Sequence, residues 1–90
     1  MLNVVLSNQF KKDIKVAEKR GLDISPLRII VGKLANGETL PEKNHDHNLT
    51  GKYSGFRECH IAPDRLLVYR IEKDELLLFL FRTGTHSDLF

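Results

Sequence analysis

The chain has 90 residues, a formal net charge of +2, and 41% hydrophobic against 29% charged residues. This excludes a second domain and the low-hydrophobicity, high-charge signature of disorder, and the total charge is too small to argue for nucleic-acid binding. A domain this size buries only roughly 60–65% of its unfolded surface, so the core is modest.

The first stretch, Leu2 to Leu6, is short and rich in β-branched residues and reads as a strand. Its apolar run precedes the first positive charges, the reverse of a signal peptide. No stretch approaches membrane-spanning length, so a cytoplasmic protein without a membrane partner is expected. Ser7 caps a helix predicted from Asn8 to Arg20, with Phe10, Ile14 and Ala17 as its apolar stripe and Gly21 as its stop. Lys11, Lys12, Lys15, Lys19 and Arg20 surround the stripe, either as a solvated face or as a landing surface for RNA phosphates. Charge is accordingly uneven: residues 1–43 hold eight Lys/Arg against five Asp/Glu, residues 44–90 six against seven.

Ser25-Pro26 restarts a helix carrying Leu27, Ile30, Val31 and Leu34 at helical spacing up to Gly37. Two helices joined by a short link form a hairpin that must bury its stripes against something. Gly37 to Gly55, rich in turn formers, reads as a long loop, and a compact domain rarely keeps one without a use for it. Residues 55–62 read as a strand with Phe56, Glu58 and His60 on one face and Arg57, Cys59 and Ile61 on the other. Pro63-Asp64 turns the chain into Leu66 to Glu72, and Lys73-Asp74 turns it into Glu75 to Arg82.

The last two strands are apolar on both faces, as central strands are. The order β-α-α-β-β-β gives an α+β domain, a helical hairpin on one face of a largely antiparallel four-stranded sheet. The other face is expected to carry His60 and Arg82 among apolar residues that nothing in the chain covers, which marks a partner site.

Cys59 is the only cysteine, which rules out an internal disulfide and suits a reducing compartment. A lone thiol in an apolar strand reads as packing rather than as a nucleophile. The histidines, His45, His47, His60 and His86, all lie in the second half, accompanied by Asp46, Glu58, Asp64 and Arg82. His45-x-His47 admits a metal site, but zinc-type Cys/His spacing is absent, and so is the glycine pattern of a nucleophile elbow. RNA cleavage by the substrate's own 2′-hydroxyl needs a base, an acid and a fixed cation, with no protein nucleophile, metal or cofactor. Several histidines and one arginine meet that need. The bland alternative for Arg82 and His86 is a solvated tail.

The ordered blocks Leu40-Pro41, Asp46-His47-x-Leu49-x-Gly51, Phe56-Arg57-Glu58-Cys59-His60-Ile61, Pro63-Asp64, Leu66-Leu67-Val68-Tyr69 and Arg82 to Phe90 resemble YafQ-type toxins of the RelE/ParE superfamily. The resemblance covers essentially the whole chain and is densest from Leu40 onward. It implies a ribosome-dependent mRNA endonuclease, neutralised by a cognate antitoxin encoded in the same operon and acting on mRNA on the ribosome. Matched by position, it implies His47, His60, Asp64, Arg82 and His86 as catalytic residues and Phe90 as a base-stacking residue. His45 falls outside the pattern. After Asp64 some relatives carry an aromatic residue where this chain has Arg65, whose guanidinium plane can take over the base or phosphate contact. Two other classes stand beside the nuclease: a toxin that acts on DNA gyrase by binding, as some of the superfamily do, and a metal-binding regulatory module built on His45 and His47.

Overall fold

The computed structural model describes all of residues 1–90. The chain forms β1 (Asn3–Leu6), α1 (Asn8–Lys19), α2 (Ser25–Ala35), β2 (His47–Asn48), β3 (Arg57–Ala62), β4 (Arg65–Glu72), β5 (Leu77–Gly84) and α3 (His86–Leu89). The sheet runs β1-β5-β4-β3-β2, with β1 parallel to β5 and the other neighbours antiparallel. It thus has five strands rather than the expected four. The added strand, β2, lies inside the predicted loop and pairs only His47 with Glu58 and Asn48 with Arg57.

The α1–α2 hairpin covers one face, as expected. Phe10 of α1 and Leu27, Ile30 and Leu34 of α2 join Cys59, Leu67, Tyr69, Leu78 and Leu80 in a single buried cluster. Burying each large aliphatic side chain contributes about 1.5–3 kcal/mol, so this layer is the main source of stability.

The opposite, outer face departs from expectation because it is not bare. Leu66, Val68 and Leu89 form a second small core, closed over by Leu49, Phe56 and Phe81. The loop before β3 and the C-terminal turn fold back over this face. Apart from Phe90, the most exposed apolar side chains lie elsewhere, at Met1, at Val4, Val5 and Leu6 of β1, on Ile29 of α2, and at Leu76 in the β4–β5 turn.

The end of β5 depends on α1. Beyond Ser7, whose N–H still donates to the Leu80 carbonyl at 3.0 Å, the backbone of the first strand no longer borders β5, and side chains take over the edge. Ser7 Oγ donates to the Phe81 carbonyl at 2.6 Å while accepting from Phe10 N–H at 2.9 Å, so one hydroxyl caps α1 and anchors β5. Asp13 Oδ2 accepts from Thr83 N–H at 3.0 Å. Between these anchors the β4–β5 register slips: Tyr69 faces Leu80 and Val68 faces Arg82, leaving Phe81 as the extra residue of a bulge. Strict alternation would have put Arg82 on the helix side with Leu80. The bulge instead sets it opposite Val68, on the outer side.

Candidate active site

Strand register gathers the candidate residues into two adjacent rows on the outer face. His47 faces Glu58, Glu58 faces Val68, and Val68 faces Arg82, so His47 and Arg82 stand at opposite ends of one row. The next row runs His60, Leu66, Gly84. Neighbouring strands are about 4.8 Å apart and same-face residues about 7 Å apart along a strand, so the row from His47 to Arg82 spans three strand spacings, about 14 Å, with the His60 row beside it.

At the β2–β3 end, the chain enters β2 through His45, whose φ of 47° lies in the left-handed region. That turn aims the His45 carbonyl at Nδ1 of His47, 2.6 Å away. A carbonyl only accepts, so Nδ1 carries the proton and Nε2 faces Glu58 Oε1 at 3.5 Å. The His45 ring meets the His60 ring edge to face, with centroids 5.2 Å apart. His45 thus belongs to the cluster although it falls outside the family pattern. Asn44, buried beneath, donates from Nδ2 to the His60 carbonyl at 2.7 Å and ties the loop to β3. No group of three or more His, Cys, Asp or Glu is placed to hold a metal ion.

At the β5 end, Asp13 grips Arg82 through both carboxylate oxygens, Nε to Oδ2 at 3.0 Å and Nη2 to Oδ1 at 3.1 Å. Asp13 holds the guanidinium charged, above its already high ordinary range. The chain then turns through Gly84 into α3, where Thr85 and Asp88 form a reciprocal capping box. Gly84 has a φ of 157° and packs against Asp88, whose atoms a Cβ there would meet at 3.0 Å. Arg20, the C-cap of α1, pairs with Asp88 at 2.9 and 3.2 Å and pulls its carboxyl well below the usual carboxylate range. α3 presents His86 against Phe90, ring centroids 5.3 Å apart, and Phe90 meets Tyr53 edge-on at 5.7 Å.

The remaining candidates lie outside these clusters. Asp64 is exposed in its turn and makes no side-chain hydrogen bond, so no histidine is oriented by it here. Arg65 donates from Nη1 to the Asp23 carbonyl at 2.7 Å. It lines, with Arg20, Arg82, Asp13 and Asp88, a cleft of about 240 Å³ between α1 and the end of β5. Lys11, Lys12 and Lys15 are exposed on α1. Cys59 faces the helices, and burial pushes its thiol up to about 12, which removes it as a nucleophile.

Sequence reasoning missed Asp13, Asp88 and Tyr53, and placed Arg20 only among the basic residues around the apolar stripe of α1. Asp13 had a readable signal, since it lies within the Phe10, Ile14, Ala17 stripe, where a carboxylate needs a buried partner.

A helical hairpin on a five-stranded mixed sheet with a basic and histidine-rich outer rim is the architecture of a known class. Over residues 2–90 the chain matches a family described as bacterial toxins of type II toxin-antitoxin systems, YafQ. It is 40% identical over 89 residues to the mRNA interferase toxin YafQ of Escherichia coli K12, covering 98% of this chain and 95% of that protein. Among solved structures, a metal-bound toxin from Helicobacter pylori superposes with a TM-score of 0.93 at 49% identity, covering all of both chains. The E. coli DinJ-YafQ complex superposes with a TM-score of 0.90 at 37% identity, covering 100% of this chain and 99% of that one. The chain belongs to the YafQ family.

Proposed function

We propose that this toxin is an endoribonuclease that cleaves mRNA on the ribosome, without a metal in the chemical step, and that an antitoxin neutralises it. The observation that carries this reading is the register of the outer face, where His47 and Arg82 end one row, His60 starts the next, and His86 follows Gly84 by two residues. The ribose 2′-oxygen attacks the adjacent phosphorus as a histidine takes its proton. The bond to the 5′-oxygen breaks as a second group returns a proton to it, leaving a 2′,3′-cyclic phosphate and a 5′-hydroxyl. Arg82 neutralises the charge that builds on the phosphate oxygens, a role worth on the order of 10²–10³-fold. Phe90, exposed beside His86, offers a face for a base. Lys11, Lys12 and Lys15 provide the exposed charge for RNA phosphates.

The antitoxin reading rests on family membership and on the E. coli complex in which a YafQ toxin is bound to DinJ. The test is single-turnover cleavage on programmed ribosomes, beside free mRNA, with end mapping and metal analysis of the purified toxin. Cyclic phosphate ends produced only with ribosomes, by protein free of transition metal, are expected. Equal cleavage of free mRNA would refute ribosome dependence. Because a related toxin has been solved with metal bound, activity that disappears on stripping a stoichiometric transition metal and returns with it would refute the metal-free step.

A further inference from the structure

We propose that α1 sets the catalytic geometry through two ion pairs of opposite polarity, Asp13 holding Arg82 and Arg20 holding Asp88, so that Asp13 and Arg20 are positioning residues for the reaction. The proposal rests on the reading of Arg82 and His86 given above.

Asp13 and Arg20 are seven residues apart, two turns of one helix, and therefore lie on the same side of α1. Both line the cleft between α1 and the end of β5. Their partners lie on the short stretch of chain that bears the reacting groups, Arg82 before the Gly84 turn and Asp88 after it. Each contact is bidentate, at 3.0 and 3.1 Å for Asp13 and at 2.9 and 3.2 Å for Arg20. A bidentate carboxylate–guanidinium pair fixes the plane and rotation of the groups as well as their distance. Asp13 occupies Nε and one hydrogen of Nη2, and no protein group is hydrogen-bonded to Nη1. The Nη1–Nη2 edge of Arg82 therefore keeps the paired donors that a phosphate takes.

Arg20 acts one step further away. Asp88 accepts from Arg20, and its Oδ2 also accepts from Thr85 N–H at 3.0 Å, so the pair locks the first turn of α3. His86 lies within that turn. An α3 of four residues cannot hold itself in water, and an external clamp is what the position of His86 requires.

The experiment compares wild type with Asp13→Asn, Arg20→Ala and Arg20→Lys. Single-turnover rate and half-saturating toxin concentration are measured on programmed ribosomes, with thermal melts and NMR of the Arg82 Nε–H and the His86 ring. Asp13→Asn keeps an acceptor for Thr83 but loses the charge. It is expected to slow cleavage about tenfold or more while half-saturation moves less than about threefold, and to speed exchange of the Arg82 Nε–H. Arg20→Ala, at an exposed pair that the fold can lose, is expected to slow cleavage and shift the His86 ring signals, and Arg20→Lys to recover part of both. A wild-type rate in either folded variant, or unchanged Arg82 and His86 spectra, would overturn the clamp. If wild type cleaves nothing, the functional reading falls alone, because the spectra still decide the clamp.

Discussion

The carboxylate of Glu58, in a residue only 5% exposed, has His47 as its sole side-chain partner, with Oε1 3.5 Å from Nε2. Because Nδ1 of His47 already donates to the His45 carbonyl, the contact is attractive when Nε2 is protonated as well. His47→Ala then leaves a buried acceptor unsatisfied, which costs about 1–3 kcal/mol. Urea denaturation should show that loss in His47→Ala and a smaller one in the Glu58→Gln/His47→Ala double variant. Equal losses would mean that water satisfies Glu58 without help.

Arg82 is structural as well as chemical. Asp13, with a side chain 8% exposed, loses its charged partner in Arg82→Ala and keeps only the neutral donors Thr83 N–H and Gln9 Nε2. That variant should lose roughly two orders of magnitude in cleavage and also about 1–3 kcal/mol in stability, both read on the same preparation. His86→Ala, whose side chain is exposed, should match the loss in cleavage at nearly unchanged stability, as a positioned acid or base contributes about 10²–10⁴-fold.

Adjacent residues at the C-terminus should separate stability from activity. Leu89, 8% exposed, closes the outer core, and Leu89→Ala is expected to cost about 2–4 kcal/mol in chemical denaturation. Phe90, 54% exposed, should cost less than about 0.5 kcal/mol when replaced by Ala, yet weaken cleavage through the lost base contact. A Phe90→Ala protein that cleaves normally would make its contacts with His86 and Tyr53 incidental.

Alkaline pH should destabilise the fold. Burial raises the Cys59 thiol to about 12, and burial together with the hydrogen bond to Asp46 raises the Tyr69 hydroxyl. Between the ordinary thiol value of 9.0 and the raised one, the unfolded chain binds fewer protons than the folded chain, so stability falls as pH rises. Cys59 alone contributes a slope of about −1.4 kcal/mol per pH unit. Denaturation midpoints measured from pH 7 upward should decline past about pH 9, less steeply in Cys59→Ala.

The helix hairpin and the faces of β3 were legible because burial is one-sided there: Cys59 and Ile61 face the helices while Glu58 and His60 face away. Arg82 lies on the outer side with His60, as expected, but the bulge at Phe81 that puts it there has no local signature. Ser7 and Asp13, both about seventy residues earlier, hold the strand there, and no window along the chain contains both ends of such a contact. Strand β2 pairs only two residues, too few for any periodicity. The turn α3 left a readable trace in the Thr85…Asp88 capping box, but at four residues it has no apolar stripe to confirm it. Coverage of the outer face was hidden for a related reason. Leu49 is a single apolar residue in polar surroundings and Leu89 has only Phe90 beside it, and only the fold brings them over Leu66 and Val68.

The parallel pairing of β1 with β5 has a bearing on synthesis. Asn3 cannot meet Leu77, nor Asp13 meet Arg82, until nearly the entire chain has been made, a wait of about 4–15 s at about 5–20 residues per second. Throughout that interval Val4, Val5 and Leu6 are a strand without a neighbour, and the groups assigned to RNA cleavage have no common frame. The site assembles only as β5 clears the tunnel, in one late step that joins the first strand to the last.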